Sequence, residues 1–326
     1  MKRATYAQFG NPADVVTLEQ ADSPIPRSGQ VRLAIQRAPM NPSDLLQVQG
    51  VYGIRPPLPA VPGNEGIARV VALGEGVDGV AEGQLVIAPA GSGTWQQEVL
   101  APATVLVPLP EADLDQLAMI TVNPPTAWLL LDDFVDLAPG DWVIQNAANS
   151  AVGGYVVQLA AERGVKTINI VRRNSAVAML RAMGGDLVLV DGPDLADRVR
   201  AVVGDGKIRL GLDAVGGDSF ARMADTLSTG GVMVSYGALS GAPATLSAQA
   251  TIFRDVTVRG FWLARWFEQA DQPRKAEVFG NLIQRIATGK LSTAIEAMYP
   301  LDQIHEAMAH AAQGERAGKV LLAPNG

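Results

Sequence analysis

The feature that most restricts the fold of this chain is a regular alternation of short apolar strands and helices after Asn123. Strands are expected at residues 141–145, 166–171, 187–190, 210–214, 231–236 and 256–262. Helices are expected between them, at about residues 152–162, 175–183 and 219–227. Buried strands that alternate with helices of this length form parallel βαβ units, so this half of the chain is predicted to be α/β, with a doubly wound parallel sheet.

The residues before Asn123 have a different sequence pattern. Short strands at residues 31–36, 66–73, 84–88 and 94–100 are separated by Pro and Gly, which is typical of a small irregular antiparallel β-barrel. An amphipathic helix at residues 273–288 and a last strand at 319–323 are expected to return to this barrel. We therefore predict one domain from residues 1–122 and 268–326, and a second from residues 123–267.

Composition narrows the possible partners. The 326 residues have a formal net charge of −7 and include no Cys. A net negative charge does not attract nucleic acid or an anionic membrane surface, and the absence of thiols excludes disulfides and thiolate metal ligands. No apolar run has the length of a membrane span or of a signal peptide, so a soluble cytoplasmic enzyme is expected.

A nucleotide-binding turn is expected between the first strand and first helix of the second domain. This turn, in the segment QNAANSAVGG, should present N–H groups and a positive helix end to a pyrophosphate. Asn149, Ser150 and Ala151 stand where a glycine-rich turn is usual, and Gly153 stands where close helix packing needs a missing side chain. The small side chains still permit close approach of a phosphate, and Ser150 can itself donate a hydrogen bond to it.

The tip of the next strand indicates which dinucleotide binds. Arg172 and Arg173 lie where an NAD enzyme carries an acidic residue for the ribose 2′-hydroxyl. Guanidinium groups there favour a 2′-phosphate, so NADPH is the expected cofactor. The alternative is that both arginines form a solvated strand end.

The barrel carries the sequence Gly63-Asn64-Glu65-Gly66, which resembles the Gly-His-Glu signature of zinc alcohol dehydrogenases. Asn64 replaces the metal-binding His of that signature. His305 and His310 are five residues apart and do not share a helix face, so no zinc site is expected. Without a Lewis acid, hydride transfer to an activated alkene or a quinone is favoured over alcohol oxidation.

Several segments together resemble one family over essentially the whole chain. They are NPSDLLQVQGVYG (residues 41–53), LPAVPGNEG (58–66), GSGTW (91–95), VIQNAANSAVG (143–153), KTINIVR (166–172) and RGFWLARW (259–266). These segments are similar to the mitochondrial-type 2-enoyl thioester reductases, a zinc-free branch of the medium-chain dehydrogenases. The resemblance implies a GroES-like barrel that carries the catalytic residue and a Rossmann domain that binds NADPH.

The resemblance also implies roles for individual residues. Tyr52 matches the family's catalytic tyrosine, although an aromatic side chain in such a loop could instead simply pack on a neighbouring strand. Positions that match cofactor contacts are Asn123, Asn149, Ser150, Ala151, Val152, Gly153, Arg172, Arg173, Asn174, Tyr236, Gly237, Ala238, Leu239, Phe261, Trp262, Leu263 and Lys319. Gly53 and Asn174 depart from the family pattern, which has Pro after the tyrosine and a further basic residue after the arginines.

The resemblance predicts NADPH-dependent reduction of the C=C bond of a 2-enoyl thioester, carried on coenzyme A or on an acyl carrier protein. It also implies a homodimer formed through the strand at residues 256–262. One alternative is an NADPH:quinone oxidoreductase of the same fold, which does not require a phenol at position 52, or another zinc-free alkene reductase. A second is a nucleotide-binding protein without turnover.

Overall fold

A computed structural model of the chain describes residues 1–314 and 316–326. The contacts between residues divide the chain into two compact units. Unit 1 consists of Met1–Val122 and Asn281–Gly326, and unit 2 consists of Asn123–Gly280. The predicted domain division has its first boundary at the same residue, whereas residues 268–280 group here with unit 2 rather than with the barrel.

The N-terminal part of unit 1 is mainly β-structure. Its elements are β1 (Lys2–Thr5), α1 (Pro12–Val15), β2 (Thr17–Gln20), β3 (Gln30–Pro39), α2 (Pro42–Val48), β4 (Ile67–Leu73), β5 (Leu85–Ile87), β6 (Glu98–Pro102) and α3 (Leu114–Leu117). Residues of β3 alternate between buried and partly exposed over much of the strand, as expected when one face of a sheet covers a core.

Unit 2 has the predicted alternation of strands and helices. Its elements are α4 (Asn123–Asp132), β7 (Trp142–Gln145), α5 (Ala151–Glu162), β8 (Lys166–Val171), α6 (Val177–Ala182), β9 (Leu187–Val190), α7 (Leu195–Val203), β10 (Ile208–Asp213), α8 (Gly217–Ala224), β11 (Val232–Ser235), β12 (Thr257–Gly260), α9 (Leu263–Gln269) and α10 (Gln272–Ala287), the last of which continues into unit 1.

The strands of unit 2 form one parallel sheet in the order β12-β11-β10-β7-β8-β9. All four residues of β7 are buried, because a central parallel strand is covered by helices on both faces. The chain runs outward in one direction from β7 and in the other from β10. The loops that follow these two strands therefore meet at the carboxyl edge of the sheet, where ligands of such sheets bind.

The chain ends in unit 1 with β13 (Ile295–Pro300), α11 (Ile304–Ala312) and β14 (Lys319–Ala323). The predicted last strand is thus confirmed as β14, which lies between β13 and β3 in a sheet of order β13-β14-β3-β4-β5, with β6 also paired to β3. All five residues of β14 are buried, and apolar side chains from β3, β4, β14 and α11 share one core.

Candidate functional site

A buried polar cluster lies in unit 1 around the N-terminus of α2. We define the unit 1 polar cluster as Asn41, Asp44, Gln47, Asn64, Glu65 and Lys319. Lys319 Nζ donates to the carbonyl of Met40 at 2.9 Å and to Asn41 Oδ1 at 2.7 Å. The side-chain amide of Asn41 donates to Glu65 Oε2 at 2.9 Å, so the lysine and the carboxylate are connected through one amide.

Asn64 is the residue that replaces the zinc-binding histidine, and its amide is engaged within this cluster. Its Nδ2 donates to Asp44 Oδ1 at 2.7 Å and to Gln47 Oε1 at 3.2 Å. Its backbone N–H donates to the same Asp44 oxygen at 3.0 Å. An amide nitrogen cannot ligate zinc, the chain has no Cys, and the described residues contain no group of three acidic, His or Cys side chains placed to hold a metal ion. The side chains at this position therefore do not fit zinc.

Burial dominates the protonation of this cluster. It raises the pKa of Glu65 to about 7, against the opposing effects of Lys319, Asn41 and the Val122 N–H. Burial likewise lowers the pKa of Lys319 to about 8, although Glu65 and Asp44 oppose that change. Two ionisable groups with pKa values near neutrality in one buried cluster are typical of functional sites.

Tyr52 lies four residues beyond the C-terminal end of α2. Its backbone N–H and that of Val51 both donate to the carbonyl of Leu46, at 3.2 and 3.1 Å, so the turn is closed directly onto the helix. The tyrosine is partly buried, and the residues that flank it are exposed. The structure therefore presents this aromatic side chain from a loop rather than from a strand of the core.

In unit 2, the turn predicted to bind phosphate follows β7 and leads into α5. Ala147 has a left-handed φ of +46°, which is unusual for a residue with a side chain and marks a turn held under strain. Ser150 is the N-cap of α5, and its hydroxyl accepts from the Gly153 N–H at 3.1 Å. Because the Ser150 oxygen is the acceptor in this bond, its hydroxyl proton is left to donate elsewhere. Asn149, Ala151 and Val152 are half-buried around it.

Gly153 is needed for close packing inside unit 2. A Cβ built on this residue would lie 2.4 Å from the carbonyl oxygen of Ala148, which is far inside van der Waals contact. A Cβ on the next residue, Gly154, would meet only the Met183 side chain at 3.7 Å, an ordinary contact. The first glycine therefore allows α5 to begin directly against the turn.

A buried carboxylate organises the carboxyl edge of the sheet beside this turn. Asp213, the last residue of β10, accepts from Asn146 Nδ2 at 2.7 Å and from the Ser235 hydroxyl at 2.8 Å. It also accepts from the backbone N–H groups of Val215 and Gly216. Three neighbouring strand ends are thereby joined at one residue, which holds the loops above them in place.

The other predicted cofactor residues of unit 2 lie around the same sheet edge. Tyr236 follows β11, its hydroxyl oxygen is buried, and burial together with the charge of Asp213 raises the pKa of its phenol far above the usual value. Gly237, Ala238 and Leu239 continue as an exposed loop, and Asn123 begins α4 as a buried residue. Phe261 follows β12 and packs edge-on against Phe134, while Trp262 and Leu263 begin α9.

Arg172 and Arg173 directly follow β8, and Asn174 begins a short 3₁₀ turn. Arg172 and Asn174 are exposed and Arg173 is partly buried. The two guanidinium groups therefore extend from the carboxyl end of β8, the strand next to β7. Lys319 alone among the predicted cofactor residues belongs to unit 1, where it is part of the polar cluster.

Sequence reasoning did not identify Asn41, Asp44 and Gln47 in unit 1, or Asn146 and Asp213 in unit 2. One signal was present, because Asn41-Pro42 followed by Asp44 has the spacing of a helix N-terminus with an acidic third residue. The role of Asp213 could not be found this way, since a strand that ends in Asp is common and its partners lie far away in the chain.

Two protein-family profiles match the chain. The alcohol dehydrogenase GroES-like domain matches residues 27–111, and the zinc-binding dehydrogenase domain matches residues 151–279. Among curated proteins, the human mitochondrial enoyl-[acyl-carrier-protein] reductase is 38% identical over 315 residues, which cover 94% of this chain and 84% of the human protein. The corresponding protein from Arabidopsis thaliana is 37% identical with the same coverage.

Solved structures agree over nearly the full length. The Etr1p/NADP/crotonyl-CoA complex superposes with a TM-score of 0.91 at 27% identity and 99% coverage of both chains. A mitochondrial 2-enoyl thioester reductase Etr1p/Etr2p heterodimer from Candida tropicalis gives 0.88 at 28% identity, again with 99% coverage of both chains. A putative NADPH:quinone reductase from Bacillus thuringiensis gives 0.90 at 28% identity, with coverage of 99% of this chain and 98% of that one.

These relatives correct the expected location. The human, rat and Arabidopsis proteins are all named as mitochondrial, so the expectation of a cytoplasmic enzyme was wrong. That expectation depended on the lack of an apolar leader, which says nothing about an amphipathic import signal. Separately, none of the helices that the structure describes is both long enough and apolar enough to span a bilayer.

Proposed function

The chain belongs to the family of mitochondrial enoyl-[acyl-carrier-protein] reductases, and from this premise we propose that it uses NADPH to reduce the C=C bond of a 2-enoyl thioester, with Tyr52 as the group that handles the proton. The observation that carries this proposal is the Asn64 amide bound to Asp44 and Gln47 where a zinc dehydrogenase has its metal ligand. Because the side chain of Asn64 does not fit zinc, we assign the role of acid to the phenol of Tyr52, in the loop that follows α2.

The carboxyl edge of the unit 2 sheet fits a dinucleotide phosphate. The N-terminus of α5, the capping Ser150 and the close approach allowed by Gly153 suit a pyrophosphate, and Arg172 and Arg173 suit a 2′-phosphate. NADPH is the cofactor and supplies the hydride. Lys319, whose ammonium donates to Met40 and Asn41 inside the polar cluster, stays a predicted cofactor residue from the family resemblance.

The reaction requires one hydride and one proton. Addition of hydride to the β-carbon of the enoyl thioester moves the π electrons onto the carbonyl oxygen and forms an enolate. A phenol hydrogen bond from Tyr52 to that oxygen stabilises the developing charge more than it stabilises the neutral substrate, which lowers the barrier. The α-carbon then receives the proton, either directly from the phenol or through a water molecule that the phenol orients.

The substitution Tyr52→Phe tests this role, because it removes only the hydroxyl group. With NADPH and trans-2-enoyl-CoA we expect kcat to fall at least about tenfold while the dissociation constant of NADPH is unchanged. Tyr299→Phe in the same unit is the matched control, since its hydroxyl bonds to His310 and takes no part in the proposed site. Unchanged turnover in Tyr52→Phe would remove the phenol from the mechanism.

The structural similarity to a putative quinone reductase makes that activity the second candidate. A quinone accepts hydride without a protein acid at the position of the enolate oxygen, so Tyr52 should matter less for it. A panel of 2-enoyl thioesters of several chain lengths, on coenzyme A and on acyl carrier protein, should be compared with benzoquinones by NADPH consumption. A kcat/KM for quinones that exceeds every thioester value would favour the second candidate.

We also propose that two copies of the chain form a dimer through β12. This strand is at the edge of the unit 2 sheet and its four residues are exposed, and within the part of the chain that the structure describes no strand pairs with its outer side. The exposed apolar side chains of Ile252, Phe253 and Val258 lie in or just before it. Pairing of β12 with β12 of a second copy would cover both the edge and these side chains.

A further inference from the structure

The loop that carries Tyr52 is fixed on its N-terminal side by the end of α2. The left-handed Gly50, with φ of +75°, reverses the chain, and a Cβ there would lie 2.8 Å from Phe9. The N–H groups of Val51 and Tyr52 then bond to the Leu46 carbonyl. These contacts fix the start of the loop, but they do not fix the backbone after Tyr52.

A side chain from α2 reaches the far side of the loop. Gln47 Nε2 donates to the carbonyl oxygen of Ile54, two residues after Tyr52, at 3.4 Å. Gln47 is 8% exposed, whereas Ile54 is 42% exposed, so a buried amide holds an otherwise exposed segment. The bond is long, and its strength depends on how firmly the glutamine amide is oriented.

The orientation of that amide is determined by the rest of the polar cluster. Oδ1 of Asp44 accepts hydrogen bonds from the backbone N–H and the side-chain amide of Asn64, and its Oδ2 accepts from the backbone N–H of Asn41. The second N–H of that Asn64 amide is therefore directed to Gln47 Oε1. With its oxygen engaged, the glutamine presents its NH₂ group to Ile54. Because Asp44 is the acceptor at one end of this series, Asn64 must donate to Gln47, and Gln47 must in turn donate to Ile54.

We propose that Gln47 is a positioning residue for Tyr52, and that Asn64, at the position of the lost metal ligand, orients Gln47 for this purpose. Asn64 suits this task because one amide nitrogen carries two N–H groups and can serve Asp44 and Gln47 together. In this protein Asn64, which stands where zinc dehydrogenases have a metal ligand, therefore supports the loop that carries Tyr52. This inference rests on the proposed role of Tyr52.

A double-mutant cycle of Gln47→Met and Tyr52→Phe tests the proposal. Methionine fills a similar volume but cannot donate to Ile54, so kcat with enoyl-CoA should fall about tenfold through loss of phenol alignment. In the Tyr52→Phe background the same change should alter kcat by less than about twofold, since there is no hydroxyl left to position. A residue that only supports the fold would cause the same loss in both backgrounds.

Gln49→Met is the matched control, because Gln49 is exposed at the end of the same helix. It should leave kcat unchanged. The melting temperature and the NADPH affinity of each variant show whether it has folded. If Gln47→Met does not fold, Asn64→Ala takes its place in the same double-mutant cycle. Equal losses of kcat in both backgrounds, or no loss in Gln47→Met, would overturn the inference about Gln47. The proposed function would still stand in that case, provided that Tyr52→Phe itself lowers kcat. No defect in Tyr52→Phe itself would overturn both.

Discussion

At the scale of single residues, the charged side chains of the two units differ in how they are held. Arg172 lies exposed at a strand end, whereas Glu65 is buried with an amide and two backbone N–H groups around its oxygens. A change at Glu65 therefore affects the stability of unit 1, whereas the side chain of Arg172 is accessible to a ligand.

Arg172→Ala should weaken NADPH binding at least about tenfold and leave NADH binding nearly unchanged, because a guanidinium contact to a 2′-phosphate is absent with NADH. Fluorescence titration with each nucleotide measures the two dissociation constants. Arg181→Ala removes the same charge from an exposed position on α6 and should change neither value. Equal losses for both nucleotides in Arg172→Ala would contradict the assignment of this residue to the extra phosphate.

Glu65 should give unfolding a specific pH dependence. Its pKa is raised from 4.5 to about 7 in the folded protein, so the folded state holds this proton more tightly than the unfolded chain does. The contribution of Glu65 to the free energy of unfolding is therefore complete below pH 4.5 and decreases as the pH rises toward 7. Urea unfolding at several pH values should show this decrease, and Glu65→Gln should make it shallower. Equal slopes for both proteins would contradict the raised pKa.

At the scale of secondary-structure elements, strands in the parallel sheet were the easiest to predict. The expected strands at 166–171 and 187–190 have the bounds of β8 and β9, because both segments, KTINIV and LVLV, are rich in β-branched and apolar residues and follow glycine-containing turns. The helix α2 was not predicted. It has only seven residues, too few for a hydrophobic period to be recognised, yet it leads directly to Tyr52.

The start of α5 should be sensitive to a single methyl group. Gly153→Ala would place a Cβ 2.4 Å from the Ala148 carbonyl oxygen, so the helix must move away from the turn. We expect a lower melting temperature and an NADPH affinity reduced at least about tenfold. Gly154→Ala, one residue later on the same helix, meets only Met183 and should leave both unchanged. Normal NADPH affinity in Gly153→Ala would show that the turn is not the phosphate site.

At the scale of the whole molecule, long-range contacts limit what sequence patterns can predict. Lys319 and Asn41 are 278 residues apart in the chain and yet hydrogen-bonded. Local patterns indicated the last strand, but not that its first residue would enter a cluster with α2. The family resemblance predicted Lys319 as a cofactor residue, whereas its hydrogen bonds to Met40 and Asn41 are visible only in the structure.

The assembly proposed through β12 can be tested by placing a charge on the exposed edge. Val258→Lys should shift a dimer toward monomer in sedimentation experiments, since a buried ammonium opposes strand pairing between copies. Val202→Lys makes the same change at an exposed position on α7 and should keep the native assembly. A Val258→Lys protein that remains a dimer would place the interface elsewhere.

The position of β14 inside the sheet of unit 1 has a consequence for synthesis on the ribosome. Unit 2 is one uninterrupted stretch of chain and can complete its own contacts once residue 280 has emerged. The barrel strands made first must wait for β14, because β3 lacks this neighbour until residues 319–323 have emerged. Lys319 arrives with that strand, so the surroundings of Glu65 are completed only after residue 319 has emerged, well after the whole of unit 2.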